Sequence, residues 1–373
     1  MKRKFAIVSY NIHGNFTNYG SALQTYALQT VVNSLNPNDI SAIVLDYCPD
    51  SLRERDILNP GKFMWDQDEE SKRMLKLSMP AIIANYHKLN DFFSNHYKLS
   101  QGKYTSDNFN DSIEFEGLFG YICGSDTVWC IRESSGFDDG FFGNFHVMKS
   151  SHTIAYAASF GDTRFTDEEL TTLNKRLRNF KAISVRESSY INYLKNQTSC
   201  MVQRVLDPTL LLTGSDYDCI TATRQYNEPY ILLYSRRYNP EMEKYAENLA
   251  KKYCCKIVDI SLRAMNADQG HIMRYDAGVE EFLSLIKYAK FVITNSFHGL
   301  IFSVQMHTPF VIFSREQADN KIDEILDMME LSTRKMVSGT EHISDSIDFA
   351  AVEHILKEKR KSSLEFLCKA LEV

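Results

Sequence analysis

The chain of 373 residues has no C-x-x-C pair, no run of 18 apolar residues and no excess of positive charge. Each absence removes a class of protein. The eight cysteines (48, 123, 130, 200, 219, 254, 255 and 368) are scattered, and adjacent Cys254 and Cys255 suit neither a zinc knuckle nor an easy disulfide. They read as reduced, small apolar residues. Without a long apolar run, no membrane-spanning helix is expected. The basic start Met1-Lys-Arg-Lys4 leads into apolar residues 5–8, too short a run for the core of a secretion signal. A cytoplasmic protein is the expectation. A net charge of −6 supplies no basic field for nucleic acid. The patterns GxxxxGK[ST], GxGxxG, GxSxG and HExxH are missing too. No histidines, cysteines or acids show metal-ligand spacing, so neither a metal nor a cofactor is expected.

What is present is an ordinary globular composition, 44% hydrophobic and 24% charged, long enough for two domains. Strand-like runs at 4–12, 41–47, 119–123, 153–158, 183–185 and 202–206 alternate with helical patterns at 21–35 and 167–180. In the first of these helices Leu23, Ala27, Val31 and Leu35 form one apolar stripe. Residues 50–110 lose the rhythm, with an acidic run (Asp66, Asp68, Glu69, Glu70) ahead of aromatic-rich helical sequence. They are read as a helical insertion. After a polar stretch at 213–228 the alternation resumes, with strands at 230–234, 256–260, 291–295 and 309–313 and helices at 240–253 and 278–289. Such alternation predicts two α/β layers with mostly parallel sheets. The expected division is 1–213 and 214–348, with a last helix in 349–373 crossing back onto the first domain.

The most informative stretch is residues 291–313, which reads as a strand, a polar turn, a helix of two turns and a second strand. Its turn carries Asn295, Ser296 and His298, followed by Gly299. In an open parallel sheet such a turn lies at the carboxyl edge, where ligands bind. The following helix starts with unsatisfied N–H groups that suit a phosphate. His298 there is either a proton carrier or a helix cap. Asp126, in Gly124-Ser-Asp126 with Ser125 beside it, also follows a strand; it can orient or deprotonate a hydroxyl, or cap a turn. Arg186 ends another strand, and Arg236 and Arg237 follow residues 230–234. Guanidinium forks bind carboxylate or phosphate at two points, although Arg186 has Glu187 beside it as a salt-bridge alternative. The loop bearing Asn18, Gly20 and Ser21 can bring backbone N–H groups close to an anion or to sugar hydroxyls.

Six segments taken in order resemble the polysaccharide pyruvyl transferase family. They are Asn18-Tyr-Gly-Ser-Ala-Leu-Gln-Thr-Tyr-Ala-Leu28, Cys123-Gly-Ser-Asp-Thr-Val-Trp129, Ala155-Tyr-Ala-Ala-Ser-Phe-Gly161, Ile183-Ser-Val-Arg-Glu187, Val205-Leu-Asp-Pro-Thr-Leu210 and Thr294-Asn-Ser-Phe-His-Gly-Leu300. The chain departs from the usual family pattern at Thr127, where glutamine is common, and at Cys130, where asparagine is. The resemblance implies two Rossmann-like domains facing a cleft, as in GT-B glycosyltransferases. It also implies transfer of pyruvate from phosphoenolpyruvate, a co-substrate, to two hydroxyls of a sugar, lipid-linked or in a polysaccharide repeat unit, as a cyclic ketal. An acceptor of that kind is compatible with peripheral association at the inner face of the membrane. His298 would then be the general acid/base, and Arg186 with Arg236 or Arg237 would bind phosphoenolpyruvate. Two other readings compete: a GT-B glycosyltransferase with a nucleotide-sugar donor, and a catalytically silent binding protein of the same fold.

Overall fold

Two parallel sheets organise the chain, and a computed structural model describes residues 2–372 apart from 11, 15, 65, 315–318, 337–342 and 345. The first half runs β1 (Arg3–Val8), α1 (Tyr19–Leu35), β2 (Ile40–Tyr47), α2 (Glu69–His96), β3 (Leu99–Tyr104), β4 (Gly120–Cys123) and α3 (His146–Lys149). It continues with β5 (His152–Ala158), α4 (Asp167–Leu177), β6 (Ala182–Val185), α5 (Ile191–Gln197) and β7 (Met201–Arg204). The second half has β8 (Tyr230–Tyr234), α6 (Pro240–Tyr253), β9 (Lys256–Ile260), β10 (Ile272–Met273), α7 (Val279–Lys287) and β11 (Phe291–Thr294). After these come α8 (Phe297–Gln305), β12 (Phe310–Phe313), α9 (Asp319–Met328), β13 (Lys335–Met336) and α10 (Phe349–Ala370).

The strands form where the sequence is apolar on both faces, as a sheet covered by helices on each side requires. Gly120 to Cys123, Tyr230 to Tyr234 and Phe291 to Thr294 are buried throughout. Helix starts are written in side chains. Asn18 accepts from Ser21 N–H at α1, Thr166 and Glu169 form a capping box at α4, and Asn239 caps α6 ahead of Pro240.

The sheet orders are β3-β2-β1-β4-β5-β6-β7 and β10-β9-β8-β11-β12-β13. All neighbours in both are parallel. In each sheet the winding reverses once, between β1 and β4 and between β8 and β11. Loops leaving those strands diverge to opposite faces and open a crevice at the carboxyl edge. The two halves join through Tyr19, whose ring stacks on Phe282 at 4.3 Å and whose hydroxyl donates to Ala277 O at 2.8 Å. Gln305 at the end of α8 donates to Thr209 O and Leu212 O at 2.7 and 2.8 Å. One apolar cluster runs through both halves. Helix α10 returns to the first half, where Ser363 Oγ accepts from Leu206 N–H at 3.0 Å.

Residues 50–110 differ from the helical insertion expected. They hold α2, but Leu99–Tyr104 pairs with β2 (Val44↔Leu99, Tyr47↔Tyr104) and forms the sheet edge. The segment is therefore the long crossover of a regular βαβ unit. Leu99-Ser-Gln-Gly-Lys-Tyr104 lacks an apolar run because an edge strand keeps part of its surface in water. Strands β10 and β13, two residues each, are too short to leave any periodicity. No helix among the described residues is long and apolar enough to cross a membrane.

Candidate active site

Loops from both switch points meet where the halves face each other. Arg186 stands one residue beyond β6 and is only 7% exposed. Three carboxylates surround it: Asp207 Oδ2 at 2.8 Å from Nη1, Glu187 Oε1 at 3.3 Å from Nε, and Asp126 Oδ1 at 3.6 Å from Nη2. Glu187 in turn accepts from Ser159 Oγ. Nη2 has no hydrogen-bond partner. The other face of the guanidinium lies over the Phe297 ring, 5.1 Å from its centroid. Burial would depress the Arg186 cation, but the charges of Glu187, Asp207 and Asp126 outweigh it and raise its pKa.

His298 occupies the first turn of α8 and is 8% exposed. Its Nε2 lies 3.7 Å from Asp207 Oδ2, too long for a hydrogen bond, and no other described group bonds that nitrogen. Burial alone would raise the Asp207 carboxyl. The charges of His298 and Arg186 reverse this and hold it well below the usual carboxylate range. Asp126 is shifted the same way: burial opposes, while Arg186, His298 and Lys321 prevail. Both acids stay ionised at neutral pH. Asp126 also accepts from Ser21 Oγ at 2.5 Å and sits at φ 73°, a left-handed backbone that Asp tolerates better than most residues.

The remaining residues expected at the site hold its walls together. Asn18 caps α1, and Ser125 Oγ reaches Asp207 Oδ2 at 3.4 Å. Asn295 joins the loops of the second switch point, accepting from Arg236 N–H at 2.8 Å and donating to Arg237 O at 2.7 Å. Ser296 Oγ accepts from Gly299 N–H at 3.3 Å and so caps α8. Gly299 has no room for a side chain, since a Cβ would meet Thr294 Oγ1 and Tyr234. Arg236 donates from Nη1 to Thr17 O at 2.6 Å, across the cleft, and Arg237 Nη2 lies 3.6 Å from Asp66 Oδ1.

Arg186 and Arg236 line different cavities. A cleft of about 610 Å³ lies between the halves beside Arg236, Arg237, Arg263, Tyr238 and Tyr275. A smaller pocket of about 190 Å³ is bounded by Arg186, Asp207, Phe297, α9 and α10. Asp126 stands electrostatically between the two arginines, supporting the charge of each.

Sequence reasoning gave no role to Asp207 or Lys321, and it weighed Glu187 only as a salt-bridge partner of Arg186. Asp207 stood within the family-like segment Val205-Leu-Asp-Pro-Thr-Leu210, with no role attached. A buried acid that neutralises a buried arginine leaves no local pattern, because its partner is distant in sequence. Among the described residues, no group of three or more His, Cys, Asp or Glu side chains could hold a metal ion.

The sequence matches the polysaccharide pyruvyl transferase family over residues 18–317, and the chain belongs to that family. No curated protein matches it. Among solved structures, a putative UDP-N-acetylglucosamine 2-epimerase from Listeria monocytogenes aligns with TM-score 0.51 and 10% identity, covering 99% of this chain and 91% of that one. The S. aureus MnaA–UDP co-structure gives 0.49 and 14%, covering 96% and 87%. The UDP-GlcNAc 2-epimerase from Methanocaldococcus jannaschii gives 0.49 and 11%, covering 96% and 92%. At such identity the Listeria likeness speaks to fold alone, and the fold is GT-B-like: two α/β halves facing a cleft.

Proposed function

We propose that the protein transfers pyruvate from phosphoenolpyruvate to two hydroxyls of a sugar in a polysaccharide or its precursor, with no further cofactor. One observation carries the reading: an imidazole nitrogen without a hydrogen-bond partner, 3.7 Å from an ionised carboxylate, in the first turn of a helix and among cations. In the reaction the donor's methylene carbon takes a proton and becomes a methyl group. A sugar hydroxyl adds to the adjacent carbon, the carbon–oxygen bond to phosphate breaks, and a second hydroxyl closes the ketal. One hydroxyl proton ends on the methyl group and the other leaves with phosphate. His298, with the Asp207 carboxylate 3.7 Å from its Nε2, is suited by position to carry the first of these protons. Asp126 is too well stabilised as an anion to be a strong base. It suits holding an acceptor hydroxyl by a hydrogen bond.

Phosphate release from phosphoenolpyruvate that depends on a sugar acceptor tests the proposal. Release of a nucleoside diphosphate from a nucleotide sugar, with phosphoenolpyruvate inert, would overturn it in favour of glycosyl transfer.

A further inference from the structure

The two cavities differ in charge. The smaller is lined by Arg186, Arg204, Lys321 and Lys359; Asp207, Glu187 and Asp126 already match Arg186 and Glu324 matches Arg204, so the uncompensated cations among the described residues are Lys321 and Lys359. The larger balances Arg236, Arg237 and Arg263 against Asp66, Asp68 and Glu70. Two of its pairs are close, Asp66 to Arg237 and Glu70 to Arg263, each at 3.6 Å. A cavity whose charges already cancel gains little from a multiply charged anion. A cavity with surplus cations concentrates one. Size separates them in the same sense. At ~30 Å³ per water molecule, 190 Å³ holds about six, room for a compact phosphorylated acid and not for a sugar chain.

Within the smaller pocket the surplus is local. Arg204 Nη2 is paired with Glu324 at 2.9 Å. Lys321, half-buried in α9, makes no ion pair with any described residue; its Nζ lies 5.8 Å from the centroid of Phe297. Arg186 approaches the same ring at 5.1 Å, and its Nη2 is buried without a hydrogen-bond partner. The ammonium of Lys321 and the Nη2 edge of Arg186, which has Asp126 Oδ1 at 3.6 Å but no hydrogen bond, thus meet at the residue that precedes His298. Burial and the Arg186 charge push the Lys321 ammonium below its ordinary pKa, a strain that a bound anion would relieve. The pocket also reaches Asp207, and through it His298.

We propose that this pocket receives the anionic end of the donor, with Lys321 and the Nη2 edge of Arg186 as its cations, while Arg236 and Arg237 serve the other substrate. The assignment rests on the pyruvyl-transfer reading and separates two arginines that the sequence had joined on one ligand.

Calorimetric titration of the full chain with phosphoenolpyruvate, and separately with inorganic phosphate, tests it. Lys321→Met keeps the stem that packs near Phe297 and removes the charge, so it should fold. It should weaken phosphoenolpyruvate binding roughly ten- to a hundredfold, the loss expected for one charge-assisted contact, and Lys321→Arg should recover most of it. Arg236→Ala should change the same affinity by less than about threefold, as for a site outside the contact. Unchanged binding in Lys321→Met, or an equal loss in Arg236→Ala, overturns the assignment. Lys321-dependent binding of phosphate by a wild type that ignores phosphoenolpyruvate would support the anion pocket and sink the donor reading. A wild type that binds neither sinks both.

Discussion

Gly20, in the first turn of α1, and His298, in the first turn of α8, meet across the two halves so closely that a Cβ on Gly20 would overlap Nδ1, Cγ and Cε1 of the imidazole. The ring is therefore positioned by both halves at once. Gly20→Ala should show this cleanly. The backbone at Gly20 is helical and accepts alanine, but the added Cβ overlaps the buried His298 imidazole as far back as its Cγ, so the ring has to shift. We expect a melting temperature lowered by a few degrees, the effect of overpacking by about 1–3 kcal/mol, with phosphate release by the folded protein down roughly a hundredfold, the typical cost of misplacing a reacting group by about 1 Å. Near-normal turnover would mean that the ring's position has no catalytic weight.

His298→Ala removes the proposed proton carrier and leaves the arginines and Lys321 in place. Turnover should fall about a hundred- to ten-thousandfold while phosphoenolpyruvate affinity, followed by titration, stays within a few-fold. Comparable losses in both quantities would make the residue a ligand-binding group and not an acid/base.

How far the sequence speaks can be traced residue by residue. The parallel strands were readable because their apolar runs are continuous, as at Tyr230–Tyr234 and Lys256–Ile260. The turn bearing Asn295, Ser296 and His298 was readable because strand, polar turn and helix follow each other in a few residues. Leu99–Tyr104 was not, since an edge strand shows no such run. The company of Arg186 was only half legible. Its neighbour Glu187 is in plain view, but Asp207 is 21 residues away and Asp126 comes from another strand's loop. Lys321 lay beyond reach: nothing in the local sequence of α9 says that its helix packs over Phe297. Local signals gave the elements, and only packing shows which cations share a cavity.

Asp207 should be a stability residue as well as a site residue. Replacing it by asparagine removes the nearest carboxylate from a buried guanidinium, a change that typically costs about 3–5 kcal/mol. The Asp207 carboxyl is held below its unfolded value, so its contribution is complete above about pH 4 and is lost as pH falls further. Urea midpoints of wild type and Asp207→Asn should therefore lie far apart at pH 7 and converge in acid below pH 4. A constant gap across that range would remove the ionised pair as the cause.

His13 and Asp46 give the opposite pH dependence. His13 Nε2 lies 2.7 Å from Asp46 Oδ1, tying the loop after β1 to β2. Burial would lower the imidazole pKa, but the hydrogen bond to Asp46 and the neighbouring Cys48 push it up to about 9 from an ordinary 6.5. A raised histidine stabilises the fold fully below pH 6.5 and loses that contribution as pH climbs through about 9. His13 is 28% exposed in its side chain, so water screens the pair. The loss should be about 1–2 kcal/mol, less than the full shift would give. Urea unfolding at pH 6 and pH 10 checks this, with His13→Asn as the reference that has no such group to titrate. The wild type should exceed the variant at pH 6 and approach it at pH 10. Because this loop leads directly into Asn18 and Gly20, the wild type's phosphate release should also decline over the same interval, more steeply than the variant's. Parallel stability curves for the two proteins would show that the pair carries no pH-dependent weight and that the loop is held by other contacts.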